Sequence, residues 1–246
     1  MSDASGRTVI VDDLDGHYED VRNRESILKA INTGQKLVFL THVLSENMEH
    51  QLDFVIAALL KKYDQEHLQS TFYTCLKEIV INATKANAKE AYFKAEGLKI
   101  DQEEDYERGM ARLRGAMNEA WIEKYGAAAK EMGLDVSITF EHNSDGVRVL
   151  VWSSPMKARE ESRIRQKLAE GMRYDDIVAF YLANADQTEG EGIGLVMILL
   201  LLKAEHISPH LFRIGTVEQK TLARLEIPLS ENFVSVRGAD PAGHKK

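Results

Sequence analysis

The chain has 246 residues, of which 44% are hydrophobic and only 7% aromatic, and a formal charge of −8. That length suffices for one sizeable core plus a smaller helical unit, and the composition is that of a mixed α and β protein in water. The acidic balance argues against broad contact with nucleic acid or anionic membranes, and the single cysteine, Cys75, excludes an intrachain disulfide. No basic-plus-apolar signal segment opens the chain, so a cytoplasmic location is expected. The apolar run over residues 193–202 is too short to span a bilayer and reads as a buried helix.

In chain order, residues 1–7 read as a loose tail, residues 8–11 as a short strand, and Asp12-Asp13-Leu14-Asp15-Gly16 as a solvated turn. The aspartates there lack the remaining ligands of a calcium loop. Residues 24–31 read as a helix ended by Asn32-Thr33-Gly34. Over residues 42–63, Leu44, Met48, Leu52, Val55, Ile56, Leu59 and Leu60 recur at helical spacing, which makes a long amphipathic helix carrying His42 and His50.

Residues 76–87 carry polar chemistry inside an apolar helix. At roughly 100° per residue, Glu78, Asn82 and Lys85 fall within about 60° of one another. Phe72, Leu76, Ile79, Ala83 and Ala86 fill the apolar arc beside them. A carboxylate, an amide and an ammonium in line at the edge of a hydrophobic face suit an oxygen-rich ligand and its metal ion. Cys75 sits among the apolar residues of the same helix, which points to packing.

In residues 101–132, Tyr106, Met110, Leu113, Met117 and Trp121 keep helical period, giving one amphipathic helix or a pair broken near Gly126, stopped by Gly133. Residues 136–140 and 147–151 alternate as strands around the turn Asn143-Ser144-Asp145-Gly146. Lys157, Arg159, Arg163, Arg165, Lys167 and Arg173 then make a local basic excess, countered by Glu160, Glu161 and Glu170; residues 175–182 form a short helix. Thr188-Glu189-Gly190-Glu191-Gly192-Ile193-Gly194-Leu195 puts glycines at alternate positions before a helix, where backbone amides and the positive helix end attract phosphate. Residues 211–214 and 221–229 close the chain as strands, with Thr221, Ala223, Leu225 and Ile227 on one face.

Glu-x-x-x-Asn-Ala-x-Lys at residues 78–85, with Gly-x-Gly-Ile-Gly-Leu at residues 190–195, resembles the N box and second glycine box of the GHKL ATPases, most closely the histidine-kinase catalytic domain. The resemblance covers about residues 68–229, two thirds of the chain. It implies a two-layer α/β sandwich of the Bergerat type, with a mixed sheet under helices. Three units are expected: an N-terminal helical segment (residues 1–66), the ATPase-like domain (67–230) with a helical insertion at about 101–133, and a loose tail (231–246). It further implies ATP and Mg²⁺ as ligands, with Asn82 on the metal, Glu78 orienting or deprotonating the attacking group, Lys85 facing phosphate, and the amides around Gly190, Gly192 and Gly194 cradling the triphosphate. Thr221 corresponds to the threonine facing the adenine pocket. Residues 157–188 correspond to the nucleotide lid.

The first glycine box departs from the pattern. Trp152-Ser153-Ser154-Pro155-Met156 puts Ser153 where the family has an aspartate that receives the adenine amino group, and Pro155 where it has a glycine. A hydroxyl accepts more weakly than a carboxylate, which weakens adenine selection by about 1.5–3 kcal/mol. His42 and His50 are the candidate phosphoacceptors, although Val43 and Gln51 stand where the family's motif has an acid. Two readings are open. One is an ATP-dependent histidine or serine kinase of signalling, acting on a protein partner, with homodimerisation through the N-terminal helix as an option. The other is a regulatory or adaptor protein that keeps the fold without productive nucleotide. In the first, phosphoryl transfer rests on positioning and charge neutralisation.

Overall fold

A computed structural model describes residues 8–12, 21–113, 115–183 and 193–236. The chain forms a mixed α and β fold whose six-stranded sheet runs β1-β2-β3-β4-β6-β5. The strands are β1 (Thr8–Asp12), β2 (Lys36–Thr41), β3 (Val136–His142), β4 (Gly146–Ser153), β5 (Phe212–Val217) and β6 (Lys220–Pro228). β1 pairs parallel with β2, and the other pairings are antiparallel. Among the described residues the helices are α1 (Val21–Asn32), α2 (Glu46–Lys62), α3 (Gln69–Ala95), α4 (Glu103–Leu113), α5 (Glu119–Glu131), α6 (Ala158–Gly171), α7 (Ile177–Ala183) and α8 (Ile193–Ala204). None is long and apolar enough to cross a membrane.

Alternation along the strands builds the main core. Leu37 and Phe39, Val136, Ile138 and Phe140, Val147, Val149 and Val151, and Ala223, Leu225 and Ile227 all point to one face and are buried. Packed into the same cluster are Ile27 and Ile31 of α1, Leu52, Ile56 and Leu59 of α2, Phe72, Leu76 and Ile79 of α3, and Ile198 and Leu202 of α8. Helices α1 and α2 and strand β2, all within the first 66 residues, therefore share one core with α3, α8 and the rest of the sheet. β2, which the periodicity of the sequence does not announce, lies between β1 and β3.

Local chemistry sets the ends. Ser45 caps α2 by accepting from the Met48 amide at 3.2 Å, with Glu46 and Glu49 in the first turn and Lys61 and Lys62 in the last. The expected helix over residues 42–63 thus starts at Glu46, and His42 lies outside it, in the connection from β2. Asn118 caps α5 by accepting from the Trp121 amide at 3.0 Å. Gly133, at φ +67°, stops α5 as expected. The break in the insertion falls between α4 and α5 rather than near Gly126, which is inside α5; a Cβ there would collide with the Val43 side chain.

Both insertion helices pack on the last three turns of α3. Tyr92, Phe93, Tyr106, Leu113, Trp121 and Tyr125 form a second, aromatic core, with Tyr92 edge-on to Tyr125 at 5.2 Å and Phe93 stacked on Tyr106 at 5.8 Å. The expected loose tail is held down as far as residue 236. A Cβ on Gly146 would run into the Phe233 ring, and Ser235 Oγ (2.5 Å) and the Val236 amide (3.3 Å) both donate to Glu226. Glu226 is fully buried and also receives Arg148 Nε at 2.9 Å. Burial pushes its carboxyl up, but the bonds from Ser235, Arg148 and Val236 outweigh that, and the net lies below the ordinary 4.5.

His142, at the end of β3, meets the Tyr63 hydroxyl at 2.8 Å, and its Nε2 is buried with no partner among the described residues. Burial, aided by the Lys62 ammonium, pulls its pKa from 6.5 down to about 4. The unfolded chain therefore takes up this proton first, and the stability due to neutral His142 is lost as pH falls from 6.5 through 4. Urea midpoints of the parent should drop across that window and drop less in His142→Phe; parallel pH profiles would refute the assignment.

Candidate functional site

α3 brings Glu78, Asn82 and Lys85 onto one half-buried stripe, as the spacing predicts. Asn82 Nδ2 donates to the Glu78 carbonyl one turn earlier at 2.7 Å, which leaves the amide Oδ1 and the second N–H for other bonds. α8 packs across this turn of α3. At its start, Gly194 is pressed against the stripe: a Cβ there would collide with Glu78 Oε2, lie 3.0 Å from Glu78 Cδ, and come 3.7 Å from Asn82 Nδ2. The two segments singled out in the sequence, about a hundred residues apart, thus meet at Gly194. Gly190 and Gly192 lie outside the described residues.

The corner has a definite electrostatic character. The first amides of an α-helix lack intrahelical acceptors and carry its positive dipole end. α8 begins against a carboxylate and an amide, oxygen donors of the kind hard cations take. Among the described residues no three His, Cys, Asp or Glu side chains converge as a metal cage. Cys75, on the same helix, is fully buried, and its burial, with the Glu78 and Glu205 carboxylates, pushes the thiol up to about 12. It is a packing residue.

The end of β4 is tied to the same helix, α3, farther along. Ser153 and Thr221 are cross-strand partners, and both are buried. Thr221 Oγ1 donates to the Ser154 carbonyl at 2.7 Å, while Ser154 Oγ is buried with no partner among the described residues. Asn87, which sequence reasoning passed over, fixes this strand end to α3. It is fully buried, accepts from the Ser154 amide at 3.0 Å and donates to the Leu134 carbonyl at 2.9 Å. The available signal was its position: one turn beyond Ala83, on the apolar arc, where an amide must have partners.

Four of the basic residues after β4 are engaged. Lys157 pairs with Asp101 at 2.9 Å and Arg159 with Glu103 at 3.0 Å, both in the insertion. Arg165 pairs with Glu161 at 2.5 Å and Lys167 with Glu170 at 3.4 Å, the balance within the helix that the sequence suggested. His42 Nδ1 lies 3.3 Å from Asp135 Oδ1, and His50 is exposed on α2.

Against known proteins, no family model matches the chain and no solved structure matches it. It is 29% identical over 209 residues to an uncharacterised protein of Treponema pallidum (strain Nichols). The match takes in 85% of this chain and 40% of that protein, so the chain spans well under half the length of its relative.

The Gly194 contact can be tested without any ligand. Gly194→Ala should cost about 1 kcal/mol or less in chemical unfolding, because the Glu78 carboxylate that the added methyl meets is the far end of a flexible side chain and can swing aside. In a Glu78→Ala background the same change should cost much less. Equal costs in both backgrounds would place the two residues apart.

Proposed function

We propose that this chain binds a magnesium-bridged nucleotide at the corner between α3, α8 and the end of β4, as a histidine-kinase-like member of the GHKL ATPases acting in phosphoryl transfer to a protein. The observation that carries the reading is the close approach of Gly194 to Glu78 and Asn82. The order of elements supports it too: a stripe-bearing helix, a hairpin ending at Ser153, a basic segment, a glycine-led helix and a final strand carrying Thr221.

In this reading the Asn82 amide oxygen is a ligand of Mg²⁺, which when bound neutralises phosphate charge. Glu78 orients the attacking hydroxyl, imidazole or water and takes its proton, and Lys85 faces the phosphates. The start of α8 supplies amides to phosphate oxygens. Ser153 and Thr221 receive the base, with Ser153 accepting more weakly than a carboxylate would. The acceptor is a histidine, His42 or His50 among the candidates, or a serine of a partner.

A second reading, a regulatory protein that keeps the fold without turnover, is favoured by two specific observations. Ser153 lacks the carboxylate, and Lys157 and Arg159 are engaged by the insertion instead of standing open to phosphate.

Calorimetric titration of the full chain with ATP and Mg²⁺ separates the possibilities. Binding should raise the unfolding temperature, since a ligand of the native state stabilises it; no heat and no shift at millimolar nucleotide would remove the nucleotide reading. Asn82→Ala should erase the Mg²⁺ dependence of binding. Ser153→Asp should tighten ATP binding roughly tenfold to a hundredfold, and a flat result in a folded variant would show that Ser153 does not face the base. Binding without acid-labile or acid-stable protein phosphate from labelled ATP would favour the second reading.

A further inference from the structure

The connection between the basic segment and the insertion has a geometry that ordinary surface pairing does not require. Arg159 makes three contacts at once: Glu103 Oε2 at 3.0 Å, the Ile100 carbonyl at 2.9 Å, and the face of Tyr106 at 3.2 Å from the ring centroid. Lys157, two residues earlier, meets Asp101. One turn past Lys85 on the α3 stripe, Lys89 pairs with Glu160, and both of those side chains are largely buried. The first turn of α6 is thereby fastened along α3, next to Ser154, which Asn87 holds.

The two sides of the contact differ in exposure. The side chains of Lys157 and Arg159 are 24% and 27% exposed, whereas Asp101 and Glu103 are each 75% exposed. The bases are set in place by packing, and the acids reach them from solvent. Such exposed pairs are weak and screened by salt, so an anion with better geometry can displace the carboxylates without disturbing the bases. A polyphosphate, with several oxygens for one planar guanidinium and one ammonium, has that geometry.

We infer that the acidic edge of the insertion is an autoinhibitory clamp: Asp101 and Glu103 occupy Lys157 and Arg159 in place of phosphate oxygens, and an incoming polyphosphate must displace them. The inference rests on the nucleotide reading above and adds to it that Lys157 and Arg159 are phosphate-binding residues and that the insertion regulates access to them. Asp101→Asn combined with Glu103→Gln keeps the shape and removes the charge. In the full chain this variant should bind Mg²⁺-ATP and inorganic tripolyphosphate roughly three- to tenfold more tightly than the parent at low salt, and the gain should vanish when Lys157→Ala and Arg159→Ala are added. The single variant Glu103→Gln, with unchanged circular dichroism, should show part of the gain.

Parent-like affinity in the folded double variant would overturn the clamp and leave nucleotide binding standing. Weaker binding would make the contact an organiser of the site and overturn the clamp as well. If neither parent nor variant binds at millimolar ligand, the nucleotide reading falls and the clamp falls with it.

Discussion

The close approach of Gly194 to Glu78 and Asn82 is set by hydrophobic burial, not by the polar groups that meet there. Leu195, Ile198, Leu199 and Leu202 of α8 are buried against α3 and the sheet. Each buried leucine or isoleucine contributes about 1.5–3 kcal/mol, far more than a half-exposed hydrogen bond returns. That apolar docking fixes how near the helix start can come to α3, and the missing Cβ at Gly194 lets the Glu78 carboxylate lie against it. The carboxylate and the amide are thus held beside the start of α8 at little cost in polar bonding. Asn87 completes the arrangement from the other side by tying the end of β4 to the same helix.

Much of this was legible in the chain itself, for identifiable reasons. The hairpin β3 and β4, the last strand and helix α2 show clean periods of two and of 3.6, because each element has one face buried and one face wet. β2 escaped because Leu37-Val38-Phe39-Leu40 is an uninterrupted apolar run. A short strand buried within a sheet offers no alternation to detect. The break between α4 and α5 was hidden because Met110, Leu113, Met117 and Trp121 continue the helical spacing across it, so the pattern stayed in phase where the backbone did not. The Glu78, Asn82 and Lys85 stripe needed only the pitch of a helix. The partners of Lys157 and Arg159 needed the tertiary fold, since the sequence offered nearer acids, Glu160 and Glu161, with equal claim.

Electrostatics divides the molecule by side. Along one end of the sheet, Lys36, Glu141, Arg148 and Glu226 pair across β2, β3, β4 and β6, with Lys36 2.5 Å and Arg148 3.1 Å from Glu141. Burial pushes the Glu141 carboxyl up, but the two bases outweigh that and hold it below its ordinary range. At the opposite edge, the pairs between the insertion and α6 are partly exposed and correspondingly weak. The buried Glu226 thus ties residues 235 and 236 to the sheet, while the more exposed acids Asp101 and Glu103 pair with α6.

α3 runs 27 residues without a break and belongs to two cores: the sheet core through Phe72, Leu76 and Ile79, and the aromatic cluster through Tyr92 and Phe93. A continuous helix of that length behaves as a rod. From Tyr92 back to Asn82 is about 15 Å along its axis, so a tilt of about 5° at the aromatic end moves the Asn82 amide by about 1 Å. Trp121 and Tyr125 are thus joined to Asn82 by unbroken helix, while Ile79, Val80 and Ala83 clamp that helix to the sheet core on either side of the amide.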